Sequence, residues 1–224
     1  MNTPLPPWYT TTTNNNKYNL SHLTQENNQY VRGSIQDDEA LLLYALIRCS
    51  LIKRILESGA GVGYSAKNFL QATSIFEDSI VYSVDINIKR SFQQDSKRHR
   101  SIIKSIDLVE PDDVDNLSLD LIFFDSHRLD LEINFFKKFY DKKIITDDTV
   151  ICIHDTNLNA IPLTKTSKKI DNGWVFGKDR ALVNFFINAG YKTFNVHTNM
   201  DRHNSQLPFR NGLTLCQKYN ILKT

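Results

Sequence analysis

Four acidic residues stand at the ends of short apolar runs: Glu57, Asp85, Asp125 and Asp155. Two histidines flank the last pair, His127 two positions after Asp125 and His154 just before Asp155. Carboxylates and imidazoles at this spacing offer three kinds of chemistry. They can accept from vicinal hydroxyls, move a proton near neutral pH, or hold a hard divalent cation. A glycine cluster, Gly59-Ala60-Gly61-Val62-Gly63, follows Glu57. Glycines there permit positive φ and close approach of a ligand to the backbone. The cluster reads either as a tight turn with no ligand or as a dinucleotide-type loop, which sets pyrophosphate on a helix N-terminus. Glu57 argues against phosphate, because a carboxylate two residues before the first glycine would repel it.

The elements that must position these residues alternate. A helix is expected over Asp37–Ser50, with acids in its first turn. Strands are expected at Lys53–Glu57, Ile80–Val84, Ser101–Ile106, Leu119–Phe124 and Thr149–Ile153. Helices are expected at about Ser65–Ala72, at Leu129–Tyr140, with Leu129, Ile133, Phe136 and Tyr140 on one face, and at Asp179–Ala189, closed by Gly190. Two late strands fall near Tyr191–Val196 and Gly212–Lys218. Strands alternating with helices imply a parallel sheet covered on both faces, with ligands at the carboxyl ends of the strands.

Length and composition bound the rest. The 224 residues suit one domain, and 27 Lys+Arg against 25 Asp+Glu give a formal charge of +2. That balance supplies no field for nucleic acid, and no Asn-Pro-Pro-Tyr base-flipping motif is present. No apolar run approaches the length of a membrane span. The N-terminus, Met1-Asn2-Thr3-Pro4, lacks the basic start and apolar stretch of a signal peptide. Cys49, Cys152 and Cys216 sit among apolar neighbours and are expected to be buried free thiols in a cytoplasm-like, reducing compartment. Residues 1–25, polar and of low complexity around Thr10–Asn19, are expected to form a tail, and residues 26–224 a single domain. His22, His99, His197 and His203 have no partners at ligand spacing and are expected at the surface.

Taken together, four segments resemble the class I S-adenosylmethionine (SAM)-dependent methyltransferases. Ile55-Leu56-Glu57-Ser58-Gly59-Ala60-Gly61-Val62-Gly63-Tyr64-Ser65-Ala66 is similar to the first motif of that superfamily. Val84-Asp85 is similar to the second, an acid that bonds both ribose hydroxyls. Leu119-Asp120-Leu121-Ile122-Phe123-Phe124-Asp125-Ser126-His127 and Val150-Ile151-Cys152-Ile153-His154-Asp155-Thr156 resemble strand ends of a subgroup. That subgroup contains small sugar and macrolide O-methyltransferases and cephalosporin hydroxylase-like proteins. The resemblance covers about Arg32 to Lys218. It implies a Rossmann-like α/β fold: a seven-stranded, mostly parallel sheet, an antiparallel last strand and helices on both faces. It also implies a SAM site made by Glu57, Gly59, Gly61, Gly63, Tyr64, Ser65, Asp85, Ile86 and Asp125. Asp107 is placed either beside the adenine or as a plain turn residue.

The implied activity is methyl transfer to a hydroxyl, with a sugar or glycan as leading acceptor. A small phenol or catechol-like acceptor, or a SAM-fold scaffold without catalysis, are the alternatives. Such an acceptor needs a base or a metal. Asp125 and Asp155, with Thr156 or Asn157 as third ligand, would hold Mg²⁺ if the resemblance carries that far; otherwise they are strand-end caps. His127 is the expected base, with Asp125 in that role if no metal binds, and His154 is expected to be structural. Residues 157–178, with Lys165, Lys168, Lys169 and Trp174, read as either a solvated loop or a lid on the acceptor. Met200–Arg210 and the aromatics Trp8 and Tyr9 are further candidates. Assembly as a homodimer stays open.

Overall fold

The computed structural model describes residue 35 and residues 37–87, 96–156, 176–196 and 212–218. Seven strands and four α-helices account for most of them. The strands are β1 (Arg54–Ser58), β2 (Ile80–Val84), β3 (His99–Ile102), β4 (Leu121–Phe124), β5 (Val150–Ile153), β6 (Lys192–Val196) and β7 (Leu213–Gln217). The helices are α1 (Asp37–Cys49), α2 (Tyr64–Ala72), α3 (Leu129–Asp141) and α4 (Phe176–Asn188). They form one sheet in the order β3-β2-β1-β4-β5-β7-β6. β3, β2, β1, β4 and β5 pair in parallel, and β7 runs antiparallel to both β5 and β6. The order reverses direction between β1 and β4. In such sheets that switch point opens a crevice at the carboxyl ends of the strands.

Side-chain alternation explains why the inner strands are apolar without a break. Ile55, Val81, Leu121, Phe123 and Cys152 face α1 and α2, meeting Leu43, Tyr44, Ile47 and Phe69. Leu56, Tyr82, Ile122, Phe124 and Ile151 face α3 and α4, meeting Phe135, Phe136, Phe139 and Phe186. A strand buried on both faces has no polar side to show. Phe136 and Phe186 meet edge to face at 4.9 Å, joining α3 to α4.

Several expectations are corrected. The third strand ends at Ile102 rather than Ile106, because β2 ends at Val84, the partner of Ile102. Ile106 falls instead in a short 3₁₀ turn, Ile106–Leu108. The buried face of α3 is Glu132, Phe135, Phe136 and Phe139, so Leu129, Ile133 and Tyr140 lie on its margin. Cys152 and Cys216 are buried free thiols as expected, but Cys49, in the last turn of α1, is exposed. His99 is buried rather than at the surface, because β3 turns it inward toward Ser83 of β2. Residues 1–25, His22, His197, His203, Asn157, Trp174 and the 200–210 segment lie outside the described residues. Among the described residues no helix is long and apolar enough to cross a membrane.

Candidate active site

The glycine loop is built by backbone geometry. Gly59 has φ 94°, Gly61 49° and Gly63 80°, a region that other residues enter at a cost. Gly59 N–H donates to Val84 O at 2.8 Å, so the loop closes over the end of β2. Gly61 N–H donates to Asp85 Oδ2 at 2.9 Å, and Asn87 N–H to Asp85 Oδ1 at 2.9 Å. Asp85 thus fixes both its own turn and the loop opposite.

A cavity of about 310 Å³ lies there. Ser58, Gly59 and Gly61 form one wall, Val84, Asp85 and Ile86 a second. Ser105 and Ile106 close one end, and Asp125, Ser126 and Arg128 the other. A larger cavity of about 730 Å³ opens near Ile52, Asp120 and Val150, at the opposite ends of β1, β4 and β5. Ligands of open α/β sheets bind at the carboxyl ends, which selects the smaller cavity.

Five expected cofactor residues are outside this lining: Glu57, Gly63, Tyr64, Ser65 and Asp107. Glu57 belongs to the α2-facing set of β1 and points beneath that helix. It is fully buried, accepting from Ser65 Oγ at 2.6 Å and Ser83 Oγ at 2.5 Å. Burial pushes its carboxyl up to about 7, against the lowering effect of the two hydroxyls. Ser83 continues the chain to His99 Nε2 at 2.9 Å. Glu57 therefore holds the floor of the loop. Gly63 is the N-cap of α2 and Tyr64 its first residue. The Asp107 carboxylate is engaged by the Ser105 hydroxyl in the turn after β3.

Next to the cavity, and sharing Asp125 with it, is a cluster of Asp125, His127 and Asp155. One ligand atom from each lies within 4.8 Å of the others. His127 Nε2 is 3.7 Å from Asp125 Oδ1 and 3.7 Å from Asp155 Oδ2. Its Nδ1 is 3.1 Å from Asp179 Oδ2 on α4. His127 and Asp155 both have φ 56°, an uncommon left-handed conformation that costs on the order of 1 kcal/mol each. Both turn inward to one point.

The electrostatics favour a cation. Burial would lower the His127 pKa, but the hydrogen bond to Asp179 and the charges of Asp125, Asp179 and Asp155 outweigh it and raise it to about 9. His154 is similar: burial opposes its charged form, and Asp125, Asp155 and Glu39 together outweigh it and raise its pKa above the ordinary imidazole value. It meets Asp125 Oδ1 at 2.9 Å and Glu39 Oε2 at 3.2 Å, the structural role expected for it. Glu39 also accepts from Gly212 N–H at 2.7 Å, tying α1 to the start of β7. Burial raises Asp179 to about 6 and Glu132 to about 7. Glu132 accepts from Ser126 Oγ at 2.7 Å and fixes the β4–α3 connection. The donor set of two carboxylates and an imidazole fits a divalent cation.

Two expected site residues have further partners here. Thr156, the expected third ligand, accepts from Thr214 Oγ1 at 2.7 Å and donates to Gly212 O at 3.3 Å, so β7 draws its hydroxyl away. His127, the expected base, is set among three carboxylates that raise its pKa to about 9, so it holds its proton more tightly than a free imidazole. Sequence reasoning missed Glu39, Glu132 and Asp179 as parts of the site. The hint was an acid in the first turn of each of α1, α3 and α4, a pattern that ordinary helix capping also produces.

No protein-family model matches the sequence, and no curated protein matches it to a significant degree. Solved structures do. TomG from Streptomyces achromogenes, an O-methyltransferase of tomaymycin synthesis in complex with SAM, shares 17% identity at a TM-score of 0.57, over 84% of this chain and 82% of that one. The O-methyltransferase from Bacillus cereus in complex with SAH shares 15% at 0.58, over 84% of each. The SAH-bound methyltransferase from Podospora anserina shares 16% at 0.56, over 84% and 81%. With its strand order and its glycine loop closing on Asp85, the chain has the fold of the class I SAM-dependent methyltransferases.

Proposed function

We propose that the chain is a SAM-dependent O-methyltransferase, with a sugar or glycan hydroxyl as its leading acceptor and a divalent cation such as Mg²⁺ as its aid. The supporting observation is that Asp125 belongs both to the cavity wall and to the Asp125–His127–Asp155 cluster. A methyl donor and a hydroxyl acceptor need that adjacency, since transfer is an in-line displacement between them. Asp85, whose two oxygens now bond Gly61 and Asn87, is the carboxylate for the ribose diol. Ile86, exposed on the same wall, offers an apolar surface to the adenine. Asp125 accepts a hydrogen bond from the acceptor hydroxyl at the far end, held in place by His154. A bound cation would withdraw electron density from that hydroxyl and ease loss of its proton.

A small phenolic acceptor is the second reading, favoured by the fold likeness to a putative caffeoyl-CoA O-methyltransferase from Staphylococcus aureus. The test is transfer of a labelled methyl from SAM to a panel of glycosides, free sugars and catechols, with and without EDTA. We expect turnover on a hydroxyl that EDTA abolishes and that Asp155→Ala lowers by about 10²-fold or more. SAM binding with no transfer to any hydroxyl would move the chain to the scaffold reading. Turnover that survives both EDTA and Asp155→Ala would remove the cation from the account.

A further inference from the structure

The two ring nitrogens of His127 have different surroundings. Nδ1 is 3.1 Å and 3.3 Å from the two oxygens of Asp179, within hydrogen-bond reach. Nε2 faces Asp125 Oδ1 and Asp155 Oδ2 at 3.7 Å each, beyond that reach. Asp179 is 2% exposed and Asp155 fully buried, so neither carboxylate wanders into solvent. A carboxylate behind one imidazole nitrogen fixes which nitrogen carries the proton and aims the other. Here the aimed nitrogen points between two carboxylates.

We propose that His127 Nε2, releasing its proton to solvent as the ion enters, is the third ligand of the cation held by Asp125 and Asp155, with Asp179 as the residue that positions it. The site then prefers an ion that accepts nitrogen, such as Mn²⁺, Fe²⁺, Co²⁺ or Zn²⁺, over Mg²⁺. The inference rests on the reading that Asp125 and Asp155 bind a divalent cation. Three further observations support it. Donor atoms around an ion with bonds near 2.1 Å are separated by roughly 3.0–3.4 Å. The two 3.7 Å edges that meet at His127 Nε2 need only a small closure to reach that, and the third edge of the triangle is within 4.8 Å. Thr156, the oxygen donor next in sequence to Asp155, is engaged by Thr214 and Gly212, whereas His127 Nε2 faces both carboxylates. The left-handed backbone at both His127 and Asp155 is the local cost of turning the two side chains to one point. All-oxygen sets suit Mg²⁺, and one imidazole shifts the preference toward the later ions. A ligating His127 orients the site and takes no proton from the acceptor.

The test uses the full chain and the metal ions alone. Calorimetric titrations with Mn²⁺ and Mg²⁺ are run on the wild type, His127→Asp and Asp179→Asn, and the ¹⁴N modulation of bound Mn²⁺ is recorded by electron spin echo. SAH binding reports that each variant is folded, since His127 and Asp179 are off the cavity wall. We expect imidazole nitrogen coupling in the wild type and its loss in His127→Asp. The Mn²⁺-to-Mg²⁺ affinity ratio should fall about tenfold or more in that variant, and Asp179→Asn should weaken Mn²⁺ by about 10–100-fold. Bound Mn²⁺ without nitrogen coupling, or an unchanged ratio in His127→Asp, would overturn the assignment of His127 and leave the Asp125–Asp155 cation reading intact. Absence of any cation binding in the wild type would overturn both.

Discussion

Single residues in this site hold their protons unusually well. Burial raises Glu57 and Glu132 to about 7 and Asp179 to about 6. In His127 burial acts the other way, and the Asp179 hydrogen bond with the surrounding carboxylates overrides it to reach about 9. A group that binds its proton more tightly when folded stabilises the fold below its unfolded pKa. That contribution disappears as pH rises through the folded pKa. The windows are 4.5 to about 7 for the glutamates, 3.8 to about 6 for Asp179, and 6.5 to about 9 for His127. All four slope the same way. The melting temperature of the cation-free protein is therefore expected to fall from pH 5 to pH 9, and saturating Mn²⁺ to flatten the upper half of that fall. A cation-free melting temperature that holds level or climbs over this range would contradict the electrostatics described for the cluster. Asp85, Asp125 and Asp155 were legible as candidate site residues because an apolar run places its terminal acid at a strand end. Asp179 and Glu39 were not. Their roles depend on packing that joins α4 to His127, 52 positions away, and α1 to His154, 115 positions away.

At the scale of elements, the loop from β1 to α2 tolerates no side chain at its first glycine. A Cβ on Gly59 would lie 2.5 Å from Asp125 O, 2.6 Å from Asp125 C and 2.8 Å from Ser126 N, all backbone. Either the loop or the end of β4 must move, and both carry the site. Gly59→Ala is expected to cost about 2–4 kcal/mol in a denaturant titration and to abolish SAH binding. Gly190→Ala is the control: φ is 85° there too, but nothing lies within 4 Å of the added carbon. It should cost about 1 kcal/mol and leave SAH binding unchanged. Equal losses in the two variants would show that strain at φ, rather than contact with β4, governs Gly59. Apolar periodicity placed β1, β2, β4, β5 and the helices within a few residues. It misplaced β3 because that strand's end is set by its partner β2, and partners are invisible along one chain. It rotated the face of α3 because Glu132, a charged residue, takes a buried position by bonding Ser126.

For the whole molecule, the alternation of strands and helices was enough to expect a covered parallel sheet, and the resemblance supplied the antiparallel late strand. The same alternation placed the crevice at the carboxyl ends of the strands, where the connections after the paired β1 and β4 leave on opposite faces of the sheet. What the chain accepts at the far side of Asp125 was not legible, because acceptor choice depends on loops whose conformation no periodicity encodes. The central claim concerns the cavity between Gly59 and Asp85. The most direct measurement is a calorimetric titration of SAH into the wild type and into Asp85→Ala, with NAD as the competing ligand. The account predicts one SAH per chain, affinity lower by at least about tenfold in Asp85→Ala, and no heat from NAD. Silence with SAH, indifference of its binding to Asp85→Ala, or NAD taken up instead would contradict it.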